Sequence, residues 1–122
     1  MSLAGHRHER VAEEILHEVG AMLAGELKDP RLSGIVTVTE VRVSPDLKQA
    51  RIFVSVLGNE EEQTLAMKGL EAAAGFIRRE LFERLQMRRT PELHFSLDRS
   101  EEYRERIESL LRQTKQETKR DE

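Results

Sequence analysis

Along this chain the apolar residues keep helical spacing, switch to alternation across a hairpin, return to helical spacing and then alternate again, and that succession constrains the fold most. From Arg7 to Leu27, the positions Val11, Ile15, Val19, Met22, Leu23 and Leu27 follow the i, i+4, i+7 spacing of one helical face. Lys28-Asp29-Pro30 should close that helix, because a proline disfavours the α conformation in the residue before it. Ile35 to Val43 is β-branched and rich in Thr, which predicts a strand. Its apolar parity shifts between Val36/Val38 and Val41/Val43, so a bulge or strong bend is expected near Thr39-Glu40. Ser44-Pro45-Asp46-Leu47 has turn chemistry, and Ala50, Ile52, Val54 and Val56 then alternate with Arg51, Phe53, Ser55 and Leu57. A β-hairpin follows.

Gly58-Asn59 ends the hairpin, and Asn59 with Glu62 three residues later gives a capping-box start to a second helix. Glu60, Glu61 and Glu62 fill its first turn, where the helix dipole favours negative charge. Leu65, Met67, Leu70 and Ala74 supply a partly apolar face, Gly75 interrupts it, and the pattern resumes with Ile77, Leu81 and Leu85. The interruption predicts a break or kink. After Thr90-Pro91, Leu93, Phe95 and Leu97 alternate with His94, Ser96 and Asp98 as a third strand. Ser100 is placed to cap a short final helix carrying Tyr103, Ile107, Leu110 and Leu111. Residues 113–122 contain nothing apolar, so a disordered polar tail is expected there, as is a flexible N-terminus over residues 1–6. The expectation is a single two-layer α+β domain over residues 7–112, in the order α-β-β-α-kink-α-β with a short C-terminal helix.

At 122 residues the chain suits one core, built mainly from Val, Ile and Leu because it has four Phe, one Tyr and no Trp. The absence of cysteine excludes disulfides, thiolate metal sites and a cysteine nucleophile. No apolar run approaches the ~20 residues that span a bilayer, and the first residues lack the apolar core of a secretion signal, so a cytoplasmic protein without a membrane partner is expected. A net charge of −3 speaks against nucleic acid until it is divided along the chain. Residues 1–30 and 59–75 each carry −3, whereas 31–58 and 76–99 each carry +2. Fifteen of the 20 basic residues are arginine, whose planar fork suits phosphates and stacking.

The element order is that of type II KH domains, and several strings bring the likeness closer. They are Arg7-His8-Glu9-Arg10-Val11, Lys28-Asp29-Pro30-Arg31-Leu32, Thr37-Val38-Thr39, Ser44-Pro45-Asp46-Leu47, Ala73-Ala74-Gly75-Phe76-Ile77-Arg78 and Pro91-Glu92-Leu93. Taken in order, they make the chain resemble the ribosome-binding factor A family from about Arg7 to Leu111. The resemblance implies a KH-type fold in which Ala73-Ala74-Gly75 replaces the usual Gly-x-x-Gly loop. It further implies a monomeric factor that binds free 30S subunits and their 16S rRNA during late maturation. Support of 5′-end processing, a role in cold adaptation and an assembly GTPase as a further partner come with it; catalytic residues and cofactors do not. The chain departs from the family pattern at Ser33-Gly34, which displaces a common glycine by one, and at Phe82, where the family often has glycine.

Gly75 has two compatible readings. A glycine at a helix break lets backbone approach a phosphate, and a helix restarting at Phe76 would offer free N–H groups to it; alternatively the glycine only permits close packing. Arg78, Arg79, Arg84, Arg88 and Arg89 fall within twelve residues against Glu80 and Glu83, which suits rRNA phosphates or a solvated, salt-bridged face. Arg7, Arg10, Lys28 and Arg31, at the two ends of the first helix, form a second tier of RNA-binding candidates. His6, His8 and His17 lack the further ligands of a metal site, and His94 should face away from the core. No nucleophile set, phosphate loop or carboxylate pair points to an enzyme. With Tyr103 and the Phe residues assigned mostly to packing, stacking platforms are lacking and recognition by rRNA shape and backbone is expected. The competing class is a protein-interaction module, a dimeric regulator pairing through the hairpin edge or the terminal helix.

Overall fold

The computed structural model describes residues 7–26 and 36–120, the side chains of residues 26 and 116–120 excepted. The expectations for residues 1–6 and for Leu27 to Ile35, including Lys28 and Arg31, lie outside the described residues. Helix α1 (Arg7–Ala21) runs into a π-type turn (Met22–Glu26). Strands β1 (Val36–Val43) and β2 (Gln49–Val56), helix α2 (Glu60–Leu85), strand β3 (Glu92–Leu97) and helix α3 (Ser100–Arg120) follow. The sheet order is β1-β2-β3, with β1 antiparallel and β3 parallel to β2. A parallel neighbour requires a crossover, and α2 supplies it. The result is an α+β domain with α1 and α2 on one face of the sheet.

The parity shift in β1 is a bulge. Val38 pairs with Val54 and Glu40 with Phe53, so Thr39 is the extra residue, and Val41 and Val43 return to the core face with Val36. The Thr39 hydroxyl donates to Asp98 Oδ2 at 2.6 Å, tying the bulge to the end of β3. Ala50, Ile52 and Val54 from β2 meet Ile15, Val19 and Met22 from the first helical segment and Leu70, Ile77 and Leu81 from α2, all fully buried. Each such aliphatic side chain contributes about 1.5 to 3 kcal/mol through burial.

Helix α2 starts as its sequence predicts. The Asn59 side chain accepts from the Glu62 amide at 2.9 Å, and the Glu62 carboxylate accepts from the Asn59 amide at 3.3 Å. Gly58, at φ 139°, precedes this box, and a Cβ there would stand 2.9 Å from the Glu62 side chain.

Two helices run longer than expected. Helix α2 is continuous over 26 residues through Ala73-Ala74-Gly75, so of the expected break or kink the break is absent. The buried residues Ala66, Leu70, Ile77 and Leu81 explain the continuity, since at 100° per residue they fall within about 60° of one another. One stripe therefore serves both halves, and a lone glycine costs only about 1 kcal/mol relative to alanine. Helix α3 is 21 residues long and includes residues 113–120, where the sequence predicts a disordered tail. Its composition favours helix, with Glu102/Arg106 and Glu108/Arg112 at i, i+4 spacing. Its first amide, that of Ser100, is accepted by Asp98 Oδ1 at 2.9 Å, so Asp98 does the work expected of Ser100. Every described side chain of α3 is exposed. Among the described residues no helix is long and apolar enough to cross a membrane.

Candidate nucleic-acid interface

The last turns of α2 and the loop that follows carry most of the candidate arginines. Gln86, with φ 49° and ψ 46°, closes α2 in the left-handed conformation and turns the chain back toward β3. The Arg78 guanidinium donates to the Thr90 carbonyl at 2.9 Å, with Thr90 and Pro91 both buried, so the loop is held against α2. The Glu92 amide donates to the Lys48 carbonyl at 2.8 Å, which brings the hairpin turn to the same place. That turn is fixed by Asp46, whose Oδ1 accepts from the Ser44 hydroxyl at 2.6 Å and the Lys48 amide at 3.0 Å. These local bonds lower the Asp46 carboxyl below the usual carboxylate value, the Ser44 bond contributing most.

Arg7 from the start of α1, Lys48 from the turn, and Arg78, Arg88 and Arg89 line one depression of about 790 Å³. A second, of about 540 Å³, shares Arg78, Arg88 and Arg89 and adds Gly75, Arg79 and Phe82. The two together carry six cationic side chains against the carboxylates of Glu14, Asp46 and Glu83. In a chain of net charge −3 this is a local reversal of sign. Such a surface attracts polyanions, and arginine forks suit phosphate oxygens.

The remaining candidates lie elsewhere. Arg84 bridges Glu18 of α1 at 3.2 Å and Glu80 at 3.3 Å, so it braces the two helices. Arg10 is exposed on α1 but lines neither depression, and Ala73 and Ala74 are half-buried in α2. Because α2 is continuous, the free N–H groups expected at Phe76 do not exist. Gly75 is exposed, and a Cβ there meets nothing within 4 Å among the described residues, so packing among them does not require the glycine. Sequence reasoning did not single out Lys48, which lines the first depression, and assigned the Phe side chains mostly to packing, whereas Phe76 is 45% and Phe82 51% exposed. Position 82 was signalled only by its departure from the family's frequent glycine. His94 lies on the open sheet face, its Nε2 2.6 Å from Gln49 Oε1, and no group of three or more metal-ligating His, Cys, Asp or Glu side chains is found among the described residues.

A model of the family described as ribosome-binding factor A matches residues 7–111. The chain belongs to the ribosome-binding factor A family. Ribosome-binding factor A of Thermomicrobium roseum is 50% identical over 120 residues, covering 98% of this chain and 92% of that protein. That of Acetivibrio thermocellus is 49% identical over 113 residues, covering 93% and 92%. The crystal structure of ribosome-binding factor A from Thermus thermophilus is similar with a TM-score of 0.66 at 28% identity, over 76% of this chain and 97% of that one. A homology model of the Thermus thermophilus factor, fitted into a cryo-electron microscopy map of a 30S complex, gives a TM-score of 0.54 at 32% identity, over 70% and 93%. Of Ala73-Ala74-Gly75, which lie in the middle of α2, Gly75 lines the second basic depression, and both depressions extend past the C-terminal end of the helix.

Proposed function

We propose that this chain binds the small (30S) ribosomal subunit through its 16S rRNA and assists late maturation without catalysing a reaction. The observation that carries the reading is the convergence of Arg7, Lys48, Arg78, Arg79, Arg88 and Arg89 on one surface of an acidic chain. Family membership and the fitting of a Thermus relative into a map of a 30S complex support the choice of polyanion. On this reading these side chains contact rRNA phosphates, Gly75 lets the RNA backbone lie close to α2, and Arg84 keeps α1 and α2 in place. Arg10, Lys28 and Arg31 are proposed as further rRNA contacts. The finer features carried by the resemblance belong to the same proposal: support of 16S rRNA 5′-end processing, cold adaptation, an assembly GTPase as partner, and a monomer acting in the cytoplasm.

A second reading, a protein-interaction module, draws on the exposed Tyr103, Ile107, Leu110 and Leu111 of α3. Capture of small subunits with and without nuclease treatment separates the two. Loss of capture after nuclease supports the rRNA reading, and capture of ribosomal protein that survives nuclease contradicts it. The purified protein should neither cleave RNA nor hydrolyse nucleotides, and a nuclease activity that persists through repurification would overturn the non-catalytic reading.

A further inference from the structure

Phe82 is one of the large aromatics that the packing of this domain leaves exposed. It is 51% exposed although it stands one residue from the fully buried Leu81. Seven residues separate it from Gly75, so the two fall within about 20° on the same face of α2, two turns apart. The depression they share is lined by Arg78, Arg79, Arg88 and Arg89 with one acid, Glu83, and among the described residues Phe82 is the sole large apolar side chain of that lining. Phe76, the other exposed Phe of α2, is rotated by about 120° from Phe82 and lies outside this depression.

An isolated ring among four guanidinium groups is poorly suited to an apolar protein patch, which would need further apolar neighbours. It is well suited to a nucleotide, whose base offers a π face and whose phosphate seeks cations. We propose that Phe82 is a stacking platform for an unpaired base of single-stranded rRNA, held at the edge of the basic surface while Arg79, Arg88 and Arg89 take the flanking phosphates. This rests on the reading of that surface as an RNA interface. The missing Cβ at Gly75 leaves the helix surface open for the sugar-phosphate chain leading to the base. A duplex, whose bases are already stacked, cannot use the ring, so the platform selects a splayed-out nucleotide over helical rRNA. The chain thus gains a base contact that its sequence does not predict, at one of the two places where it departs from the family pattern.

The test measures affinity for isolated 30S subunits across a salt series for Phe82→Ala, Phe82→Leu and Phe82→Trp, each checked for folding by circular dichroism. Phe82→Ala and Phe82→Leu should bind roughly 5- to 100-fold more weakly, with the salt slope unchanged because no phosphate contact is lost. Phe82→Trp should bind at least as tightly as the parent. The chain has no other tryptophan, so quenching of its emission by 30S subunits reports the stack directly. Parental affinity for Phe82→Leu would assign the position to an apolar contact with ribosomal protein, and parental affinity for Phe82→Ala would remove it from the interface. Either result overturns the stack, as does an unquenched tryptophan on a bound subunit. If Arg88→Glu with Arg89→Glu weakens binding while the Phe82 variants do not, the stack alone fails. If the parent does not bind subunits, the reading of the whole surface fails with it.

Discussion

Removing α3 should leave the domain folded. A chain ending at Arg99 keeps Asp98 and every buried apolar residue of the core, and it discards a helix whose described side chains are all exposed. The least exposed of its large apolar side chains is Ile107, at 39%, with Leu110, Leu111 and Tyr103 at 53%, 58% and 65%. None of the four belongs to the buried core or to the half-buried side chains packed against it. A polar link to α2, from Gln63 to Glu102 at 3.4 Å, is exposed and contributes little. The tertiary loss is about 1 kcal/mol against the roughly 1.5 to 3 of one fully buried aliphatic. For a domain of this size that lowers Tm by about 4 to 8 °C at most. Leu81→Ala, at a fully buried position, should cost about 2 to 5 kcal/mol and lower Tm further. Thermal melts of the parent, the truncation and Leu81→Ala, followed by circular dichroism, provide the comparison. A truncation that melts as low as Leu81→Ala would refute the reasoning and show that α3 packs against the domain.

Three further outcomes follow from local geometry. Gly58→Ala should lower stability by about 1 to 2 kcal/mol, read from urea midpoints, because a Cβ at φ 139° meets the Glu62 side chain and disrupts the capping box. Gln86→Gly should raise stability by about 0.5 to 1 kcal/mol in the same assay, since the left-handed C-cap suits glycine better than a side chain. Bonds from the Ser100 hydroxyl, the Thr39 hydroxyl and the Ser100 amide hold the Asp98 carboxyl at about 2, below its ordinary 3.8. A depressed carboxyl contributes stability that is present above its unfolded value and lost as pH falls through the folded one. The parent should therefore lose Tm between about pH 4 and pH 2 more steeply than Asp98→Asn. Parallel curves would contradict the assignment.

The elements legible in the sequence are those fixed by neighbours a few residues apart. The bulge at Thr39 is visible because four valines change parity around it, and the capping box because Asn59 and Glu62 stand three apart. Gly75 misleads because a local helix penalty says nothing of the anchors on either side, Leu70 and Ile77, which share one buried stripe. Residues 113–115 likewise lie in helix with their side chains exposed, which composition reads as disorder. The site is half legible. The arginines of α2 are evident as a run, but the brace of Arg84 to Glu18 spans 66 residues, and the meeting of Arg7, Lys48 and Arg89 depends on the parallel pairing of β3 with β2. Exposure at Phe82 is set by which face α2 buries, and the expected break at Gly75 conceals that face.

The central claim, that the basic surface holds the chain on rRNA, is tested most directly by affinity for isolated 30S subunits from low to high salt, comparing the parent with Arg88→Glu, Arg89→Glu. With all six cations of the surface engaged, the parent's log-log salt slope should be about −4 to −5, at roughly 0.7 to 0.9 per phosphate contact. The double variant should bind more weakly at low salt, with a slope shallower by about 1.4 to 1.8. Equal affinity and equal slope for a folded double variant would contradict the account.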